Sequence, residues 1–450
     1  MGTNKRASFG GRLSAVLVAV GSAVGLGNIW RFPYIAGENG GGAFLIVYIG
    51  CILLLGIPVL LSEFSIGRHT HLNSVGAYRS LSKRWTLLGY NSVISSLLIL
   101  GFYFVVSGWT LEYFATSVTG AIAEYSSSAV NAEKFAAFTT DPLRPIIYTV
   151  IFAVLTHAVI ALGVQKGIER SSKMMMPILF LMLIALAIRS IMMPNGLEGL
   201  RFLFTPDFSK VTAKTFLDAM GQAFFSLSIG LGCMITYSSY FNDKTNLQKT
   251  AYNVVALDTL VAVLAGVVIF PVVFSVGIEP TAGPSLVFVT LPSIFNTMTF
   301  GPFWSALFFL LLILAALTST ISLHEVLTAY LHEEWGISRK HAARAVTLVT
   351  TLLACASSLS LGLWSEWRIG GLNLFDSLDF VTANVLLPLG GFFTSIFAGW
   401  VLDRKILQDE VSSHGKMKNR LFGLLVVLLR IVCPILLLSI FLYNLGLFEL

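Results

Sequence analysis

Charged side chains are scarce in this sequence. Asp, Glu, Lys and Arg make up 12% of its 450 residues, about half the share found in an ordinary soluble domain. Hydrophobic residues make up 56%, and the mean hydropathy is +0.81. These values exclude a soluble globular protein and predict an all-α integral membrane protein. The apolar stretches lack the alternation of apolar and polar residues that marks a transmembrane β-barrel.

Cysteine and the usual catalytic motifs are also nearly absent. The four cysteines lie far apart in apolar segments, a spacing that fits neither a zinc site nor a disulfide framework. His157, His324 and His332 have no cysteine or carboxylate partner at metal-binding spacing, and the sequence contains no P-loop. We therefore expect the protein not to be an enzyme.

Eleven apolar segments are long enough to span a membrane. They cover about residues 12–36, 41–68, 86–122, 145–163, 167–192, 215–240, 250–277, 302–334, 340–361, 375–401 and 421–446. The first segment is too long for a signal peptide and should remain as a helix. The stretch Pro284–Thr299 is apolar but short, so we expect a re-entrant or surface helix there. With no soluble domain between the segments, residues 1–450 are interpreted as one transmembrane domain.

Lys and Arg are concentrated in alternate loops, for example at Arg339-Lys340 and Arg404-Lys405. The positive-inside rule places this set of loops, and the N-terminus with it, on the cytoplasmic side. An odd number of spans then puts the C-terminus outside a multi-pass protein of the cell's inner (plasma) membrane. This arrangement accounts for the net charge of +6 without a nucleic-acid partner.

Two segments contain residues that interrupt helices. The breaks lie at Gly21–Asn28 in the first segment and at Ser226–Gly232 in the sixth. Gly costs about 1 kcal/mol against Ala inside a helix, and broken helix at membrane depth is tolerated only where it is buried in protein or lines a cavity. Breaks five segments apart predict a five-plus-five inverted repeat, residues 12–192 and 215–401, with helix 11 (421–446) outside it. Such breaks mark the binding site of a transporter.

The breaks also predict chemistry. Interrupted helices free backbone amides for an anion and carbonyls for a hard cation such as sodium. Nearby oxygen-bearing side chains, which suit an alkali cation better than a transition metal, are Asn28, Ser226, Ser228, Asp258, Thr318 and Ser319. Buried hydroxyls often bond only their own helix, so packing remains an alternative for the serines and the threonine. A carboxylate within a span is costly and indicates function, which singles out Asp258.

Three stretches resemble a known family. They are Gly21–Pro33 with Glu38–Phe44, Gly221–Ser228 and Ala315–Ser319. On these motifs the sequence resembles the neurotransmitter/sodium symporter family in its bacterial amino-acid branch, from about residue 6 to residue 446. Most members have twelve spans, and some bacterial members have eleven, as expected here. Helix 12 lies outside the repeat, so we expect transport without it.

The resemblance implies two sodium ions. The first ion would be bound by the substrate's own carboxylate together with Ala23, Asn28, Ser226 and Asp258. The second would be bound by the carbonyls of Gly21, Val24 and Ala315 and the hydroxyls of Thr318 and Ser319.

The resemblance also implies a binding site for a hydrophobic L-amino acid. Its carboxylate would meet the Leu26 and Gly27 amides and the Tyr103 hydroxyl. The residues expected to contact the substrate are Ala23, Gly25, Leu26, Gly27, Ile99, Tyr103, Phe225, Ser226, Ser228, Leu231, Ser319 and Leu323. We expect substrates among Leu, Ile, Val, Met, Phe, Tyr and Trp.

Two departures from common family patterns sharpen these expectations. Many members carry Asn where Asp258 stands, and animal members pair that Asn with a chloride held partly by a Ser whose position here is Ala262. Asp258 would supply the negative charge, so chloride should not be required. Amine-transporting members carry Asp at the position of Gly25, so an open Gly25 leaves room for a substrate that brings its own carboxylate.

Gates are implied as well. Arg31 and Asp379, with Tyr103 and Phe225, would close the outer side, although a plain surface ion pair is the alternative for the charged residues. The inner side would be closed by Arg6, Phe9, Tyr240 and Glu333. Gly167 and Pro177 match a family pattern that is linked to local unwinding of helix 5. The alternative is that they have no such role, because Gly and Pro are common in membrane helices.

The resulting expectation is a sodium-coupled symporter that works by alternating access. A sodium-dependent amino-acid sensor that binds without concentrative transport is one alternative, and a channel-like protein is another. A sensor would usually carry a soluble signalling domain, and a channel would pass currents much larger than any substrate flux.

Overall fold

The computed structural model describes residues 7–125, 127–277, 286–413 and 421–447. Helices account for most of these residues, and the described ranges contain no strand, only isolated bridges such as Gly41 with Pro206. The prediction of an all-helical protein is confirmed.

The helices follow one another with short connections. In chain order they are α1 (Arg12–Ala23), α2 (Gly27–Glu38), α3 (Gly42–Thr70), α4 (Ser74–Leu81), α5 (Lys83–Val118), α6 (Ser128–Thr140), α7 (Arg144–Ala161), α8 (Val164–Ile191), α9 (Gly196–Phe204), α10 (Ala213–Ser226), α11 (Cys233–Ser238), α12 (Leu247–Ser275), α13 (Leu286–Thr297), α14 (Gly301–Glu334), α15 (Arg339–Leu359), α16 (Leu374–Val401), α17 (Arg404–Val411) and α18 (Phe422–Asn444).

Each of the eleven predicted segments contains helix, but the number of complete spans is smaller. In the described ranges, nine helices are long and apolar enough to cross a membrane, and the bent pair α1 and α2 brings the number to ten. The predicted sixth segment is divided into α10 and α11, separated by residues 227–232. Each half is too short to span by itself, so the count of eleven is not confirmed.

The two predicted breaks are present. The axes of α1 and α2 differ by 56°, and Val24 between them is extended. The second break contains Ser228, Gly230 and Gly232 at φ of 51°, 83° and 74°. Gly adopts this left-handed region without a steric penalty, which explains the Gly-Leu-Gly sequence. Residues 227–232 therefore leave the helical path and resume it at Cys233.

The broken helices lie at the centre of the bundle. The α1 helix packs against α12, α8 and α14, and α11 packs against α3. The contact of α11 with α3 is close because a Cβ on Gly67 would lie 2.1 Å from the Ile235 carbonyl oxygen. Tight packing on several sides holds the two breaks against each other at the middle of the molecule.

Two smaller sequence predictions concern α13 and α8. The short apolar stretch forms α13, which is too short to span, while Pro284 and Ser285 lie outside the described residues. Gly167 lies in a π-helical turn and Pro177 inside the following α-helix. This part of α8 is helical in the structure, and its unwinding stays a prediction.

Candidate functional site

The break after α1 releases carbonyl oxygens from the helical hydrogen-bond ladder. In a continuous helix the Gly25 amide would bond the Gly21 carbonyl, but it donates to Asn28 Oδ1 at 3.0 Å. The Asn28 amide, which would bond the Val24 carbonyl, donates to the Gly25 carbonyl at 3.2 Å. The carbonyls of Gly21 and Val24 are thus released from the helical ladder and can meet partners outside their own helix.

A buried polar cluster joins α2, α10 and α12. Asn28 Nδ2 donates to Ser226 Oγ and to Asp258 Oδ1, both at 2.8 Å, and Ser226 Oγ donates to Asp258 Oδ2 at 2.7 Å. Asn28 and Asp258 have no exposed surface. Among the described residues, the Asp258 carboxylate accepts hydrogen bonds from neutral groups and has no cationic partner. Such a buried site is expensive for a charge unless a cation joins it.

A second group of oxygens lies between α1 and α14. Thr318 Oγ1 and Ser319 Oγ approach the Val24 carbonyl at 3.4 and 3.5 Å. The same hydroxyls approach the Ala315 carbonyl of their own helix at 2.9 and 3.3 Å. Gly21 is adjacent, since a Cβ built there would lie 3.6 Å from Thr318 Cβ. The structure brings together all five residues expected for the second ion.

A cavity lies beside both groups. It is lined by Ser22, Ala23, Gly25, Gly27, Ile99, Tyr103, Phe225, Ser226, Ser228, Leu231, Cys233, Ser319, Ser322 and Leu323. Every predicted substrate residue except Leu26 is in this lining. Leu26 lies at its edge, where its amide donates to the Tyr103 hydroxyl at 3.2 Å. Ser22, Cys233 and Ser322 were missed by the sequence reasoning.

Two glycines determine the space in this cavity. A Cβ on Gly25 would lie 2.5 Å from Ser319 Oγ and 3.2 Å from the Tyr103 hydroxyl. A Cβ on Gly27 would lie 2.8 Å from the Phe225 ring. The cavity therefore depends on the absence of side chains at the break.

On one side, Phe225 lines the cavity. The Arg31 guanidinium carbon lies 4.7 Å from the centroid of the Phe225 ring, within range of a cation–π interaction. The charges of Arg31 and Asp379 interact electrostatically, but their charged atoms do not come within the 4.0 Å of an ion-pair contact. The two charged residues therefore lie near each other without direct contact, and their role as an outer gate stays a prediction.

On the opposite side, aromatic and charged residues pack around Tyr240. The Phe9 and Tyr240 rings are 5.7 Å apart, and the Phe9 amide donates to the Tyr240 carbonyl at 2.9 Å. The Tyr240 hydroxyl donates to Glu325 Oε1 at 2.6 Å, and Arg339 donates to both oxygens of Glu325. The link from Glu325 to Arg339 was not expected from sequence.

The remaining members of the predicted inner gate are described only in part. Glu333 Oε2 accepts from the Asn73 amide at 2.8 Å and from its side chain at 3.0 Å. Arg6 lies outside the described residues. The pairing of Arg6 with Glu333 stays a prediction.

Two polar residues beside the Asp258 cluster were also missed. The Tyr48 hydroxyl lies next to Asp258 and Ser226. Gln222 Nε2 donates to the Gly27 carbonyl at 3.0 Å, so this side chain bridges α10 and the break. Gln222 stands in the motif at residues 221–228, which was a usable signal, whereas nothing in the sequence around Tyr48 marked it.

The fold, with two broken helices around a buried polar cluster and a cavity, is matched in known proteins. The model of the sodium:neurotransmitter symporter family matches residues 6–141 and 143–449. The chain belongs to this family. The family consists of secondary transporters, so the chain is a sodium-dependent transporter and not an enzyme.

Relatives and solved structures agree with this assignment. An uncharacterised sodium-dependent transporter of Bacillus subtilis, YhdH, is 37% identical over the whole of both chains. The sodium-dependent serotonin transporter of Drosophila melanogaster is 26% identical, covering 98% of this chain and 76% of that one. The crystal structure of MhsT in complex with L-phenylalanine is 44% identical in sequence with a TM-score of 0.88, covering 98% of this chain and 100% of the other.

Proposed function

We propose that this family member imports neutral hydrophobic L-amino acids, including aromatic ones, together with two sodium ions and without chloride. The observation that carries the proposal is the shared position of the cavity and the Asn28–Ser226–Asp258 cluster at the first break. The similar structure of MhsT was determined with L-phenylalanine, which supports the same class of substrate.

The cavity chemistry favours a neutral side chain. None of the residues in the described lining is charged, and an unpaired charge in such a place would be costly. At the break, the Leu26 amide and the Tyr103 hydroxyl lie where a substrate carboxylate can bind. The carboxylate would replace the contact that these two groups make with each other.

The first sodium ion is proposed to lie among Ala23, Asn28, Ser226, Asp258 and the substrate carboxylate. Asp258 now faces the amide protons of Asn28, which carry partial positive charge. A cation would take their place once the Asn28 amide presents its oxygen. Ion and substrate would then complete each other's site, which is the source of coupling.

The second ion is proposed to lie among Gly21, Val24, Ala315, Thr318 and Ser319. The donors are neutral carbonyls and hydroxyls, a set suited to an alkali cation and unsuited to a transition metal. Because these residues belong to α1, its break and α14, an ion here would hold the broken helix against α14. Release of this second sodium ion would free α1 to move relative to α14.

Chloride independence is proposed from Asp258 and Ala262. Asp258 is a fixed carboxylate inside the cluster, and Ala262, one helical turn later, is fully buried without an oxygen to hold an anion. A chloride ion beside Asp258 would be repelled rather than bound.

Alternating access would come from motion of the broken helices against the rest of the bundle. Closure of the outer side would bring Arg31 to Asp379 over Phe225, while opening of the inner side would separate Phe9 and Tyr240 from their partners. We place the N-terminus in the cytoplasm and the C-terminus outside the inner (plasma) membrane, from the charges of the loops.

The proposal is tested by uptake of labelled leucine and tryptophan into proteoliposomes. An inward sodium gradient should drive accumulation that collapses with a sodium ionophore and is unchanged when gluconate replaces chloride. Saturable sodium-dependent binding without accumulation would favour a sensor, and ion current far above substrate flux would favour a channel.

A further inference from the structure

The cavity has a second polar end that the proposed ion and carboxylate sites do not use. Ser22 lies in the last turn of α1, Cys233 begins α11, and Ser322 lies one turn beyond Ser319 in α14. All three line the cavity. We call these three residues the distal polar end, because they come from α1, α11 and α14 and are distinct from the Leu26 amide and Tyr103 hydroxyl at the first break.

The Ser22 hydroxyl is the least satisfied group there. Ser22 is 1% exposed, and among the described residues its Oγ has no hydrogen-bond partner stronger than the neighbouring Cys233 thiol. The thiol of Cys233 lies beside it but is only a weak donor and acceptor. A buried hydroxyl without a partner costs free energy, so this group is suited to a partner that enters the cavity.

The other hydroxyl at this end keeps acceptor capacity. Ser322 Oγ donates to the Thr318 carbonyl at 2.9 Å and accepts from the Tyr237 hydroxyl at 3.0 Å. A hydroxyl has one proton and two lone pairs, so one lone pair of Ser322 is left. Ser228 is likewise committed as a donor, to the Ser22 carbonyl at 2.9 Å, and keeps its lone pairs.

We infer that the distal polar end is a subsite for a hydrogen-bonding group at the tip of the substrate's side chain. The tyrosine hydroxyl can donate and accept there, and the indole N–H of tryptophan can donate to Ser22 or Ser322. This inference rests on the proposed function, and it narrows the substrate class to tyrosine and tryptophan over phenylalanine and aliphatic side chains.

The physical contrast lies between tyrosine and phenylalanine. In a wholly apolar pocket the additional hydroxyl of tyrosine would be buried without a partner and would weaken binding. Beside Ser22 it gains a partner, whereas phenylalanine leaves Ser22 unsatisfied or must tolerate a water molecule there. The ratio of the affinities for tyrosine and phenylalanine therefore reports on the distal polar end alone.

The test is competition binding to the purified full-length transporter in saturating sodium, using labelled tryptophan. In the unmodified protein, tyrosine should bind at least as tightly as phenylalanine, and 1-methyltryptophan, which lacks the N–H, should bind about fivefold more weakly than tryptophan. Ser22→Ala should weaken tyrosine about fivefold and change phenylalanine less than twofold. A tenfold preference of the unmodified protein for phenylalanine would overturn the inference.

A control and a second variant keep the result interpretable. Ser95→Ala removes a buried hydroxyl of α5 that bonds its own helix at the Asn91 carbonyl, outside the cavity lining, and should change neither affinity. Ser22→Cys retains a weaker partner and should have an intermediate effect on tyrosine. Equal weakening of tyrosine and phenylalanine by Ser22→Ala would contradict the subsite.

The same preparation separates this inference from the proposed function. Selective binding of tyrosine through Ser22 without sodium-driven accumulation would support the subsite and contradict the symporter. Absence of any amino-acid binding would overturn both.

Discussion

Asn28 and Asp258 meet at the centre of the molecule, with Asn28 Nδ2 2.8 Å from Asp258 Oδ1 and both side chains fully buried. One residue belongs to the helix that resumes after the first break, and the other to α12. Their contact places a carboxylate beside freed backbone carbonyls and beside the cavity. Ion binding and substrate binding can therefore affect each other through this one pair.

Asp258→Asn should raise the sodium concentration needed for half-maximal uptake about tenfold, since a charge-assisted contact in a buried site contributes about 1.5–3 kcal/mol. The measurement is uptake against sodium concentration in proteoliposomes. Asp409→Asn, at an exposed position of α17, is the matched control. An unchanged sodium requirement in the Asp258 variant would remove this residue from the proposed ion site.

Thr318→Val keeps the shape of the side chain and removes one hydroxyl from the second group of oxygens. We expect weaker sodium binding and a Hill coefficient for sodium that falls from near two toward about one, because loss of one site leaves a single coupled ion. Thr149→Val, which also removes a buried hydroxyl bonded to its own helix, should leave the curve unchanged. If uptake by the Thr318 variant still depended on sodium concentration with a Hill coefficient near two, the Thr318 hydroxyl would have a packing role and would not bind sodium.

Gly25→Ala should abolish substrate binding while the protein remains folded. The added Cβ would lie 2.5 Å from Ser319 Oγ and 3.2 Å from the Tyr103 hydroxyl, which fills the space proposed for the carboxylate. Gly50→Ala, where nothing lies within 4 Å, is the control in binding assays with labelled tryptophan. If Gly25→Ala kept its affinity for tryptophan, the substrate carboxylate would not bind at the first break.

Glu325→Gln should make the inner side open more readily. The substitution weakens the acceptor for Tyr240 and leaves the largely buried Arg339 without its ion pair, which costs several kcal/mol in such surroundings. Cys233 lines the cavity and is 1% exposed, so its maleimide labelling from the cytoplasmic side reports opening.

That labelling is best measured with the other three cysteines replaced by alanine. In the Glu325→Gln variant, Cys233 should be labelled severalfold faster than in the protein that carries the cysteine replacements alone. In the Glu124→Gln variant it should be labelled at that reference rate, because the Glu124 side chain is 72% exposed and belongs to a distant ion pair. Equal rates in both variants would mean that Glu325 does not hold the inner side closed.

Sequence was most informative where a residue type conflicts with its surroundings. Glycines inside an apolar segment cost helix stability, so the breaks at Gly25 and Gly230 could be predicted from composition alone. A carboxylate in a span is equally conspicuous, and the structure buries Asp258 completely within the expected cluster. Segment boundaries followed from hydropathy because a membrane-spanning helix has a fixed minimum length.

Other features depend on which helices meet, and hydropathy does not encode that. Glu325 and Arg339 are 14 residues apart and face each other only because α14 and α15 form a hairpin. Ser22 and Ser322 looked like ordinary small residues until the fold placed them in one cavity wall. The position of Arg31 over Phe225 rather than against Asp379 depends on the arrangement of α2, α10 and α16, which no sequence pattern sets.

The most direct test of the central claim is the steady-state accumulation of labelled tryptophan against imposed sodium gradients, with the membrane potential held at zero. Each sodium ion moving down a tenfold gradient contributes about 1.4 kcal/mol, so two coupled ions support about hundredfold accumulation. Symport with two sodium ions predicts a slope of about two when the logarithm of the tryptophan accumulation ratio is plotted against the logarithm of the sodium gradient. A slope of about one would contradict the second site, and a slope of zero would contradict sodium coupling of this substrate altogether.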